Sequence, residues 1–153
     1  MAATVLRGLQ EVRAATGRHL GHSDWLEVTQ ERVDRFAGAT GDFQWIHVDA
    51  ERAAADSPFG GTIAHGYLTL ALTNLFLPQI VEVQGVSMGL NYGLDRVRFP
   101  APVPVGARIR GGAELVDVAD IEGGVQTTMH LVVEIEGSDK LACVAVALSR
   151  FLA

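Results

Sequence analysis

Two short stretches of this 153-residue chain hold most of the residues able to move protons. The first is Thr40-Gly41-Asp42-Phe43-Gln44-Trp45-Ile46-His47. It sets a carboxylate and an imidazole in one loop that begins with glycine. Each can take or give a proton near neutral pH once its surroundings are tuned. Trp45 and Ile46 between them can exclude water and strengthen nearby charges. The second stretch is Gly60-Gly61-Thr62-Ile63-Ala64-His65-Gly66-Tyr67-Leu68, which opens an apolar helix. The first N–H groups of a helix lack internal partners and carry partial positive charge. Gly66 has no side chain to block access, so its N–H can donate to a carbonyl oxygen that gains negative charge. The residues alone leave plainer readings open. Asp42 could be a turn cap, His47 a surface histidine, and the glycines the makers of a tight turn. His65 could simply satisfy local backbone groups.

Taken together, GATGDFQWIH and IAHGYLTLAL resemble the MaoC-like, or (R)-specific enoyl-CoA hydratase, family. Its pattern is an aromatic residue, a Gly-Asp-x-Asn-Pro-apolar-His loop and, after a spacer, apolar-x-His-Gly at the head of a long helix. Phe36, Gly41, Asp42, Ile46, His47, Ile63, His65 and Gly66 match it in order. RVRFPAPVPVGARI looks like the strand-turn-strand that follows, so the resemblance runs from about residue 20 to the C-terminus. It implies a hot-dog fold and hydration of a trans-2-enoyl thioester to the (R)-3-hydroxyacyl thioester. Asp42 would activate the water, His47 would share the proton transfer, and Gly66 N–H would polarise the thioester carbonyl. No metal or redox cofactor is implied; the substrate is an enoyl-CoA or an enoyl-acyl carrier protein. Gln44-Trp45 replaces the family's Asn-Pro, as in a nodulation protein N-like subset. Asn74 stands near the place of a helix serine that orients the loop in similar enzymes, so Asn74 and Gln44 are expected to support the loop. Proteins of this fold pair their sheets edge to edge, which implies a homodimer with its sites near the seam.

Elements that position these residues can be read from periodicity. Residues 3–15 suggest an amphipathic helix ended by Gly17, and residues 22–28 a short strand. Thr29 is a good N-cap for a helix ending near Gly38 or Gly41, with Val28 and Val33 closing over the cap. Asp49 suits a short helix through Ala55. An apolar helix then runs from about His65 to Leu77, with Pro78 and the following Gln-Ile-Val marking its end. Beyond it the period changes. Residues 88–99 read as a strand bulged near Gly93. Residues 107–118 and 125–135 alternate in polarity, and a turn at 136–140 leads to a last strand over 141–151. A helix apolar on every side must be enclosed, and a curved antiparallel sheet wrapped round it is the economical answer. The expected fold class is therefore α+β, one domain over residues 1–153.

Composition narrows the function. The hydrophobic share is 48%, the charged share 20% and the formal net charge -6. An acidic chain is poorly suited to neutralising nucleic-acid phosphates. Residues 57–81 carry no Asp, Glu, Lys or Arg, yet their Pro, Gly, His, Asn and Gln residues break the apolar run a membrane span needs. The N-terminal stretch is interrupted by Arg7, Glu11 and Arg13 and lacks a signal-peptide core. One cysteine, Cys143, forms no intramolecular disulfide and reads as a buried hydrophobe, which suits a reducing cytoplasm. Trp45, Tyr67, Leu68 and Ala71 are candidate walls of an acyl pocket, with Leu70 and Leu75 beside them. Arg96, Arg98, Arg108 and Arg110 are either a basic patch for CoA phosphates or a solvated strand face. A thioesterase and a non-catalytic hot-dog binding subunit are the competing functions, since one fold can carry all three.

Overall fold

The computed structural model describes residues 2–153. Six strands form one antiparallel sheet, five of them along one path: β2 (His19–His22), β5 (Met88–Arg98), β6 (Arg108–Ile121), β7 (Gly124–Ile135) and β8 (Leu141–Leu152). Their order across the sheet is β2-β6-β7-β8-β5, and the short β3 (Leu26–Glu27) also pairs with β6. β1 (Thr4–Arg7) and β4 (Val81–Gln84) make a separate parallel pair. The helices are α1 (Gly8–Ala14), α2 (Gln30–Thr40), α3 (Trp45–Val48), α4 (Ala50–Asp56), α5 (Gly66–Ala71) and α6 (Thr73–Ile80).

The alternation in β7 explains why the sheet closes on one side. Val125, Thr127, Met129, Leu131, Val133 and Ile135 are all buried. From β6, Ile109, Ala113 and Leu115 join the same face. Its opposite face carries Arg110, which pairs with Glu134 across the ladder at 2.5 Å. The apolar face receives α5 and α6 through Leu68, Leu72, Phe76 and Ile80. Phe76 is 1% exposed and lies against Gly111, where an added Cβ would stand 2.8 Å from the phenylalanine Cβ. Among the described residues no helix is long and apolar enough to cross a membrane.

Several expectations hold. The Thr29 hydroxyl accepts from Arg32 N–H at 3.2 Å and caps α2. Gly41, left-handed at φ 81°, ends α2 with its N–H on the Ala37 carbonyl. Asp49 caps α4 through Arg52 N–H. The β5 register shifts between Asn91 and Gly93, where the bulge was expected.

Others need correction. Residues 3–15 are not one helix: Thr4–Arg7 pairs with β4 as a strand, and Gly8 at positive φ turns the chain into α1. A distant partner outweighs local helical spacing there. The central helix passes through Pro78 and ends at Ile80, three residues beyond Leu77 but within the stretch expected to end it. Proline costs the bond to the Asn74 carbonyl, but both residues are exposed and the loss falls on the solvent side. Nor is the helix enclosed all round. Tyr67 is 73% and Leu75 42% exposed, and the sheet covers only the opposite side.

The tight seat of Phe76 should be visible in stability. Phe76→Ala is expected to cost about 3–5 kcal/mol, and Gly111→Ala about 1–3 kcal/mol by overpacking. Combining Phe76→Leu with Gly111→Ala should be less costly than the sum of the two single changes, measured by urea unfolding.

Candidate active site

The loop between α2 and α3 is built by short-range bonds. The Thr40 hydroxyl donates to the Phe36 carbonyl at 2.8 Å and accepts from Asp42 N–H at 3.4 Å. One Asp42 carboxylate oxygen accepts from Gln44 N–H at 3.3 Å, leaving Oδ2 to face the histidines. The Gln44 carbonyl accepts from His47 N–H, so Gln44 supports the loop through its backbone.

His47 is 7% exposed, and its Nδ1 lies 2.7 Å from the Ile63 carbonyl. A carbonyl only accepts, so Nδ1 carries the hydrogen and the lone pair of the neutral ring is on Nε2. His65, 3% exposed, donates from Nε2 to the Asp42 backbone carbonyl at 3.0 Å, with Asp42 Oδ2 4.0 Å away. The two imidazoles stack with centroids 3.9 Å apart and planes at 22°. One carboxylate oxygen of Asp42 and one nitrogen from each of His47 and His65 fall within 4.8 Å of one another. Such a trio has the right atoms for a metal. The stack opposes it, because nearly parallel rings do not converge on one ion as tetrahedral ligands must.

Gly66 begins α5 directly after His65, and its N–H has no partner among the described residues. The Phe99 ring lies over it, so that a Cβ here would meet Phe99 at 3.0 Å. The structure therefore brings Asp42, His47, His65 and Gly66 into one neighbourhood.

Other expected site residues lie elsewhere. Two adjoining cavities of about 330 and 360 Å³ run between the central helix and the β5 side of the sheet. Tyr67 and Ala71 line the first, as expected for an acyl pocket, together with Leu70, Leu94 and Ala147. Leu68 does not; it points into the core at 5% exposure. Trp45 lines neither cavity and is covered by the Arg52 guanidinium 4.2 Å from its ring. Asn74 does not support the loop. Its side-chain Oδ1 accepts from the Asn91 side-chain amide at 3.1 Å where the two cavities adjoin, about 12 Å along the helix from Gly66. The four arginines do not form one patch. Arg108 and Arg110 pair with Glu136 and Glu134 and flank Trp25, whereas Arg96 and Arg98 are on β5, three strands away.

Sequence reasoning missed Gln30. Its amide donates to the His47 carbonyl at 2.7 Å and accepts from the Thr62 hydroxyl at 2.6 Å, tying both motif segments to α2. No local signal marks it, because both partners are distant in sequence.

A curved antiparallel sheet over a central helix, with an acid and imidazoles gathered at the helix start, defines a hot-dog protein equipped for acid–base chemistry. The MaoC-like domain matches residues 11–136, and the chain belongs to that family of hydratases and dehydratases. It is 56% identical over 144 residues to 3-hydroxyacyl-thioester dehydratase Z of Mycobacterium tuberculosis, covering 94% of this chain and 95% of the relative. It is 48% identical to nodulation protein N of Rhizobium leguminosarum, covering 90% and 86%. An R-hydratase from Pseudomonas aeruginosa shares the hot-dog fold, with TM-score 0.70, 21% identity, and coverage of 90% and 81%.

Cys143 stands apart from this chemistry. It is 1% exposed in β8, and burial pushes its thiol up to about 11. At pH 7–8 the group is a protonated thiol, which is not the nucleophilic form. A thiol-reactive dye at pH 8 is expected to leave the native protein unlabelled and to label one cysteine per chain after unfolding in urea.

Proposed function

We propose that this protein adds water across the 2,3 double bond of a trans-2-enoyl thioester, and in reverse dehydrates the (R)-3-hydroxyacyl thioester. The carrier is CoA or acyl carrier protein, and no cofactor takes part. The observation that carries this reading is the commitment of His47 Nδ1 to the Ile63 carbonyl. The neutral ring then keeps its lone pair on Nε2, and the imidazole and the Asp42 carboxylate have a nitrogen and an oxygen within 4.8 Å of each other; in this reading one water is held between them.

A conjugated thioester accepts a nucleophile at C3 because its electron pair can move onto the carbonyl oxygen. Asp42 activates the water as its oxygen bonds to C3, and His47 shares in moving the proton. The enolate that forms has its oxygen stabilised by Gly66 N–H. Return of a proton to C2 completes the addition, so protons and electrons balance without a redox partner. The thioester substrate of the 56% identical relative supports this substrate class. The acyl chain fits the cavities beside Tyr67 and Ala71, which together exceed the few hundred Å³ a small ligand fills.

The working form in this reading is a homodimer of one hot-dog domain per chain. β5 ends the sheet with one edge unpaired. Met88, Leu90, Tyr92 and Leu94 on it are each between 46% and 55% exposed, next to exposed Tyr67 and Leu75 on the helix. A long bare edge with apolar side chains calls for a partner, and a second copy of β5 offers a matching one.

Crotonyl thioesters test the chemistry. Enoyl absorbance should fall without release of free thiol. Asp42→Asn and His47→Gln should each lower kcat by roughly 10²–10⁴-fold with KM little changed. Thiol release at the rate of enoyl loss, or wild-type turnover in Asp42→Asn, would sink the proposal. Sedimentation tests the assembly: the wild type should run at twice the chain mass, and Leu90→Asp with Leu94→Asp should run as a monomer.

A further inference from the structure

We propose that His65 is a positioning residue for this reaction, a buried ring that fixes Asp42 by its carbonyl and stacks against His47. The inference rests on the reading of Asp42 and His47 as the reacting pair. His65 is sandwiched between Phe36, 4.9 Å away and tilted by 56°, and His47, stacked at 3.9 Å. Its Nε2 hydrogen is committed to the Asp42 carbonyl. The other nitrogen, Nδ1, is buried without a partner.

These contacts fix the tautomer of His65. With Nε2–H donated to a carbonyl, the neutral ring has its lone pair on Nδ1. Phe36 and His47 hold its two faces, so the ring has one orientation. The bond from His65 also pins the backbone of Asp42, so a single side chain sets the separation of the two reacting groups.

Two substitutions divide these roles. His65→Phe keeps a ring on His47 but loses the donor to Asp42. His65→Gln keeps a donor but loses the ring. Each is expected to lower kcat about tenfold or more with KM within about twofold, since misplacement of reacting groups costs rate rather than binding. Nitrogen shifts of the wild type at pH 8 should show the neutral His65 ring protonated at Nε2 rather than Nδ1, a measurement that needs neither a variant nor turnover. The proposal is overturned if the neutral ring carries its proton on Nδ1. It is overturned equally if both folded variants keep wild-type kcat. Should the wild type hydrate no enoyl thioester, the function assigned to the pair fails, while the nitrogen shifts still decide the tautomer of His65.

Discussion

The site depends on the main chain of Ile63. Its N–H donates to the Ile46 carbonyl at 3.0 Å, and its own carbonyl accepts from His47 Nδ1. One residue thus grips both the backbone and the imidazole of α3. Ile63 is held in turn by the strip running over residues 103–105. Ala64 N–H donates to the Val103 carbonyl, Val105 N–H to the Thr62 carbonyl, and Ile63 bridges to Pro104. A backbone oxygen is a good anchor for a histidine tautomer, because its position is fixed by the chain and survives any side-chain motion. The carboxylate is freer, half exposed and held from behind by His65.

Much of this arrangement could be read from the residues, and the limits have physical causes. The β7 alternation and the caps at Thr29 and Asp49 are local signals, and the chain obeys them. Asp42, His47 and Gly66 were legible as a motif, and the fold brings them together. The α1 region was misread because its strand partner is β4, far along the chain. Tyr67 and Ala71 line the cavity as the sequence suggested, whereas Leu68 was misassigned for want of the helix phase. Tyr67, Ala71 and Asn74 follow the i, i+4, i+7 spacing of one face, whereas Leu68 and Leu72 turn toward the sheet. Gln30 was invisible because its acceptor in α3, the His47 carbonyl, and its donor, the Thr62 hydroxyl, are both distant in sequence.

The same phase explains how one helix serves two surfaces. Its core side, through Phe76, fixes the helix on β6 by contact with Gly111. Its other side remains apolar and open, facing cavities bounded by β5. Rigid packing on one face therefore leaves the second face shaped for a ligand or a neighbouring subunit without either disturbing the core.

The pinning of residues 62–64 to 103–105, and of Phe76 to Gly111, also sets an order in time. Every polar group of the site leaves the ribosome before the strands that support it. Asp42, His47 and His65 are synthesised first, yet the backbone acceptors at Val103 and the shallow surface at Gly111 come tens of residues later. Until residues 103–105 emerge, the Ile63 strip has no backbone to pair with. Such non-local contacts form late because the chain between them must first be ordered. A nascent chain stopped short of residues 103–105 would carry the full motif and still lack the geometry that makes it a site.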